Sequence, residues 1–126
     1  MIMKVLIVDD VLFMRKLLSD KLVKMGYEVI EADNGEDAVM KSIKEQPDLI
    51  FMDVVMPKMD GITATKLIKN EISGKIIICS VISDKNRVVE AIKAGATDYI
   101  IKPVNDKRLE ETMTKYAALT INELDY

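Results

Sequence analysis

Five polar side chains close apolar runs in this chain. Asp9 and Asp10 follow "VLIV", Asp53 follows "LIFM", Ser80 follows "IIIC" and Lys102 follows "YII". Taken singly, each has an ordinary explanation, because aspartate and serine are common turn residues and lysine is usually solvated. Taken together they suggest chemistry. Three neighbouring carboxylates repel one another, so they need a cation to stay ionised, or one of them must bind a proton. The cation best matched to an all-oxygen site is Mg²⁺, a hard ion that keeps several waters. A carboxylate beside Mg²⁺ and an ammonium group is equipped to accept a phosphoryl group, whose charge both cations would neutralise in the transition state. Asp53 is the best candidate acceptor, since it stands alone on its strand. Asp9 and Asp10 suit metal holding, and Ser80 suits hydrogen bonding to phosphoryl oxygens.

These residues meet only if the fold collects them. Val5 to Val8 is continuously apolar, as in a strand buried on both faces. Met14, Leu18, Leu22 and Met25 recur at helical steps, and Gly26 ends that helix. A short strand at Val29 and Ile30 precedes a helix from about Glu36 to Glu45, with Ala38, Val39 and Ile43 on one side. "DLIFMD" is the next strand, and Ile62, Leu67 and Ile68 mark a helix ending before Gly74. "KIIICS" is a strand, Val88, Val89 and Ile92 line a helix stopping at Gly95, and "DYIIK" is the last strand. Leu109, Met113, Tyr116 and Ala117 pattern the final helix, leaving "TINELDY" beyond it. Five βα units predict a parallel sheet with helices on both faces. Ligands bind such sheets beyond the carboxyl ends of the strands, where the five polar residues fall.

Composition bounds the rest. The chain has 126 residues, which fits one domain with one sizeable core, because 49% are apolar. The net charge is -3, the wrong sign for a nucleic-acid partner. The longest apolar run, "IIICSVI", is too short to cross a membrane. "MIMKVLIVDD" reaches paired acids before a signal peptide can develop, and the single cysteine, Cys79, allows no internal disulfide. A cytoplasmic monomer is expected. Histidine is absent, which removes Ser-His-Asp catalysis, histidine metal sites and phosphohistidine. The nine methionines read as core filling.

In order and spacing, "VLIVDD", "DVVMPKMDG", "CS" and "GATDYIIKP" resemble the response-regulator receiver domain, from Lys4 to about Tyr116. The resemblance implies a flavodoxin-like, doubly wound, five-stranded parallel sheet of order 2-1-3-4-5, in a single receiver domain spanning residues 1–126. It implies that Asp53 receives a phosphoryl group from a CheA-like histidine kinase. It implies Mg²⁺ held by Asp10, Asp53 and the Val55 carbonyl, with Asp9 acting partly through water. Lys102 would contact the phosphoryl group, and the Lys102–Pro103 bond would be cis. Ser80 and Tyr99 match the switch pair, in which the aromatic ring follows the hydroxyl inward. Asp60-Gly61 resembles the turn opening the third helix. Such a protein is a signalling switch, not a turnover enzyme, although it assists its own phosphoryl transfer and dephosphorylation.

Some positions depart from the family pattern. Val81 stands where alanine or glycine is usual and is expected to crowd access to Asp53. Val104 replaces a frequent phenylalanine. Val55 and Ile82 are apolar where the family tunes water access. No output domain is expected, so the signal should leave through the surface around Tyr99, formed by residues 85–95, 99–101 and 107–116. Stand-alone CheY-like members of the family serve chemotaxis, and a phosphorelay intermediate is the nearest alternative. A haloacid-dehalogenase-type phosphatase would show Asp-x-Asp and a cap insertion, and a flavodoxin-type cofactor binder would need a glycine- and hydroxyl-rich loop after the first strand. Neither is present.

Overall fold

Every residue of "VLIV", "LIFM" and "IIIC" is buried. Runs without a polar member can satisfy both faces only inside a covered parallel sheet. The structure is a computed structural model. It describes the backbone of residues 2–124 and the side chains of residues 2–117. The elements alternate as β1 (Lys4–Val8), α1 (Leu12–Lys24), β2 (Glu28–Ala32), α2 (Gly35–Glu45), β3 (Leu49–Met52), α3 (Gly61–Ile68), β4 (Lys75–Ser80), α4 (Lys85–Ala94), β5 (Asp98–Ile101) and α5 (Asp106–Leu124). The strands pair in parallel in the order β2-β1-β3-β4-β5, as expected. Asp125 and Tyr126, at the end of "TINELDY", lie outside the described residues, and α5 takes in the part of that segment up to Leu124.

Alternation along each strand divides the core in two. Leu6, Val8, Ile50, Met52, Ile76 and Ile78 meet Ala38 of α2, Ile62, Ala64 and Ile68 of α3, and Ala91 and Ala94 of α4. Val5, Ile7, Leu49, Phe51, Ile77 and Cys79 meet Leu22 of α1 and Leu109, Met113 and Tyr116 of α5. Each fully buried large side chain contributes about 1.5–3 kcal/mol.

The helices use smaller residues against the sheet than the apolar spacing predicts. In α2, Ser42 is buried and Ile43 is exposed. In α3, Leu67 is exposed, and Ala64 and Thr65 fill the inner face beside Ile62 and Ile68. In α4, Ala91 and Ala94 face the core, leaving Val89 42% and Ile92 46% exposed. Alanine and serine allow the helix backbone to approach the sheet closely, which turns the branched side chains outward. Leu22 of α1 is buried as expected, and Met25, which caps the end of that helix, is exposed. No helix among the described residues is long and apolar enough to cross a membrane.

Asp60 caps α3. Its Oδ1 accepts from Ile62 N and Thr63 N, each at 2.9 Å, and its Oδ2 accepts from the Thr63 hydroxyl at 3.0 Å. Partial burial alone would raise the Asp60 pKa, but these bonds and the Arg87 charge outweigh it and hold the carboxyl below its ordinary value. Asp60→Ala should cost about 1 kcal/mol of stability at neutral pH, as the loss of a helix cap does. The carboxylate stabilises the fold above its unfolded pKa and stops doing so as the pH falls through the lowered folded value. Urea unfolding of variant and wild type should therefore differ at neutral pH and converge in strong acid.

Candidate functional site

Asp9 and Asp53 each lie one residue past their strands, Ser80 is the last residue of β4, and Lys102 is one residue past β5. Main-chain bonds extend the ladder beyond the strands and fix these ends. Asp53 N donates to Val8 O at 3.0 Å, Lys102 N to Ser80 O at 2.9 Å and Asp9 N to Ala32 O at 3.2 Å. The sheet thus collects all five expected side chains at one edge. The Lys102–Pro103 bond is cis.

Carboxylate oxygens of Asp9, Asp10 and Asp53 all lie within 4.8 Å of one another. Asp9 is buried, Asp53 half-buried and Asp10 exposed. Lys102 Nζ reaches between two of them, 2.6 Å from Asp9 Oδ2 and 3.4 Å from Asp53 Oδ2. Asp9 Oδ1 accepts from Val11 N at 2.9 Å, and Asp53 Oδ1 accepts from Val54 N at 2.8 Å. Burial raises the Asp53 pKa, and Lys102 opposes it, but the carboxyl still sits above its ordinary value, helped by the negative charge of Asp9. Lys102 is held above its ordinary value too. Burial disfavours its charge, yet the hydrogen bond to Asp9 and the field of Asp53 prevail. The donor set fits Mg²⁺. It offers hard oxygens, carries more negative than positive charge, and has one exposed member through which a hydrated ion could enter.

Ser80 and Tyr99 meet through one loop residue. Ser80 is fully buried and its Oγ accepts from Ile82 N at 3.2 Å. The Tyr99 hydroxyl donates to Ile82 O at 2.6 Å, with the ring half-buried. Val55 and Val81, on the loops after Asp53 and Ser80, are largely exposed. Cys79 lies beside Ser80 in sequence, but burial pushes its thiol up to about 12. It is therefore neutral and unsuited to nucleophilic work.

The sequence reading missed Arg15 and Glu31. Arg15, on α1, donates through Nη1 to Asp9 O at 2.8 Å and through Nε to Glu31 Oε1 at 3.0 Å. The available signal was an arginine in the first turn after the acid pair, on a helix with no acidic residue in that turn to neutralise it.

A family model described as response regulator receiver domain matches residues 5–114. The chain is 48% identical over 114 residues to the chemotaxis protein CheY of Bacillus subtilis, covering 89% of this chain and 95% of that one. A CheY-like response regulator receiver domain protein from Methanospirillum hungatei superposes with a TM-score of 0.92 at 27% identity, covering 98% of this chain and 99% of that one. A chain from the CheX-CheY-BeF3-Mg+2 complex of Borrelia burgdorferi superposes with a TM-score of 0.82 at 33% identity, covering 90% of this chain and 89% of that one.

Gly61 presses on the Asp53 main chain. A Cβ there would lie 1.8 Å from Asp53 O and 2.8 Å from its carbonyl carbon. Gly61→Ala should therefore push the loop after β3 away from the site and destabilise the fold by roughly 1–3 kcal/mol, as overpacking does. Urea unfolding gives the cost. The amide NMR shifts of Asp53 and Val54 should move more than those of β2.

Proposed function

We propose that this chain, which belongs to the response regulator receiver domain family, takes a phosphoryl group from a CheA-like histidine kinase onto Asp53. In outline it is a CheY-like receiver of a two-component system, a signalling protein. An Asp53 oxygen attacks the phosphorus of the kinase phosphohistidine. The new P–O bond forms as the P–N bond breaks, and the imidazole leaves with the bonding pair and takes up a proton. Asp9, Asp10, Asp53 and the Val55 carbonyl would hold Mg²⁺, which when bound supplies positive charge to the phosphoryl oxygens. Lys102 supplies a second positive charge, and Ser80 donates a hydrogen bond to the arriving group. The observation that carries this reading is the Lys102 ammonium, 2.6 Å from Asp9 Oδ2 and 3.4 Å from Asp53 Oδ2 at the edge of a three-carboxylate cluster.

Output follows from the Ile82 linkage. As the Ser80 hydroxyl turns toward the phosphoryl group it releases Ile82 N–H. The loop held by Tyr99 then shifts, and the ring moves inward. Val89, Ile92 and Ile101, exposed on α4 and β5, give the adjoining face an apolar character suited to a protein partner. We assign that face, with the outer side of α5 up to Tyr116, to a downstream chemotaxis protein, the chain acting as a monomer. The chemotaxis role rests on the similarity to CheY over nearly the whole of both chains. The Borrelia burgdorferi relative in complex with CheX, BeF3 and Mg+2 supports both the ion and the protein partner.

Incubation with acetyl phosphate and Mg²⁺, read by intact mass, should add a single phosphoryl group to the wild type and none to Asp53→Asn. A stable adduct on Asp53→Asn sinks the assignment of the acceptor. On forming the beryllofluoride adduct, amide shifts should spread from Asp53 through Ser80 and Ile82 to α4 and β5. Shifts confined to the acid cluster would remove the proposed output face.

A further inference from the structure

We propose that Arg15 is a positioning residue for the metal-holding acids, clamping the peptide that joins Asp9 to Asp10. The proposal rests on the Mg²⁺ reading given above. The carbonyl that accepts from Arg15 Nη1 at 2.8 Å belongs to that peptide unit. Asp9 is held at its other polar atoms as well, its amide by Ala32 O, Oδ1 by Val11 N and Oδ2 by Lys102. The Asp9–Asp10 peptide can turn only by giving up the Arg15 bond, and turning it would swing Asp10 away from Asp9 and Asp53. Asp10 is the exposed member of the cluster, so its aim depends most on the main chain beneath it.

Arg15 is itself held. Its Nε donates to Glu31 Oε1 at 3.0 Å, and its side chain is only 13% exposed. Glu31 also takes Lys16 Nζ at 2.9 Å on its second oxygen. Lys41 bonds to the Glu31 main-chain oxygen and pairs with Asp37 at 3.0 Å. The clamp is thus anchored on β2 and α2, outside the acid cluster. A guanidinium fits the task because its planar fork serves two acceptors in fixed directions, whereas an ammonium on a flexible stem holds neither geometry.

The ordinary alternative is a surface ion pair between Arg15 and Glu31 that merely adds a little stability. Charge-conserving variants separate the two. Arg15→Lys keeps the positive charge and Glu31→Asp keeps the negative one, so any change in Mg²⁺ binding reports geometry and not the field. Mg²⁺ should be titrated by calorimetry into wild type, both variants and Asp10→Asn, with thermal midpoints and amide NMR spectra recorded on each. We expect Arg15→Lys to weaken Mg²⁺ binding about tenfold, the low end for losing an outer partner of a metal ligand. Glu31→Asp should weaken it less, and the double variant should fall short of the product of the two. Glu31→Asp carries the test by itself where Arg15→Lys does not fold. Wild-type affinity in both folded variants overturns the proposal, even with lowered thermal midpoints. If Asp10→Asn alone loses Mg²⁺, only the clamp fails. Failure of the wild type to bind Mg²⁺ removes the metal reading and the clamp together.

Discussion

Like charges held at close quarters set the terms for this molecule. Carboxylate oxygens of Asp9, Asp10 and Asp53 lie within 4.8 Å of one another at the end of a sheet whose strands are buried and apolar. Such an arrangement stores electrostatic free energy and persists only because the surroundings leave it nowhere to relax. The Lys102 ammonium, threaded between Asp9 and Asp53, offsets part of the repulsion. Burial is the largest cause of the raised Asp53 pKa, and the negative charge of Asp9 adds to it. A site with surplus negative charge and one exposed acid attracts cations and, once a cation is bound, tolerates an added anion.

The sheet supplies the rigidity this demands. Asp9, Asp53 and Lys102 are each tied by their amides to a neighbouring strand, so they move as part of the ladder and not as loop residues. α1 and α5 cover one face and α2, α3 and α4 the other. The small buried residues of α4 carry a second consequence. Ala91 and Ala94 seat the helix without large interlocking side chains, while Val89 and Ile92 remain outside. A helix seated on alanines has few deep contacts holding it in register with the sheet.

The strands were the most legible part of the chain. "VLIV", "LIFM" and "IIIC" are apolar at every position, and only a strand covered on both sides uses such runs. The polar residues that close them were legible for the same reason, which is why Asp9, Asp53, Ser80 and Lys102 were expected at one edge. Helix faces were read less well. Spacing ranked Ile43, Leu67, Val89 and Ile92 as inward because they are apolar, but close packing favoured smaller neighbours, Ser42 and Ala91 among them. Arg15 left only a weak signal, an arginine one turn into the helix after the acid pair, and Glu31 left none. Their partnership depends on β2 lying beside β1, and the link to Asp9 runs through a main-chain oxygen that no residue letter reports.

Ile82 is gripped at both ends by its main chain, its N–H by Ser80 and its carbonyl by Tyr99. The contact is indifferent to what the residue carries, since only proline would delete the N–H. The side chain of Ile82 is half-buried and packs against the core beneath α2, α3 and α4. Its backbone meanwhile keeps the hydroxyl and the aromatic ring in register. The link between Ser80 and Tyr99 therefore runs through peptide atoms common to every residue but proline, while what the core asks of position 82 falls on its side chain alone.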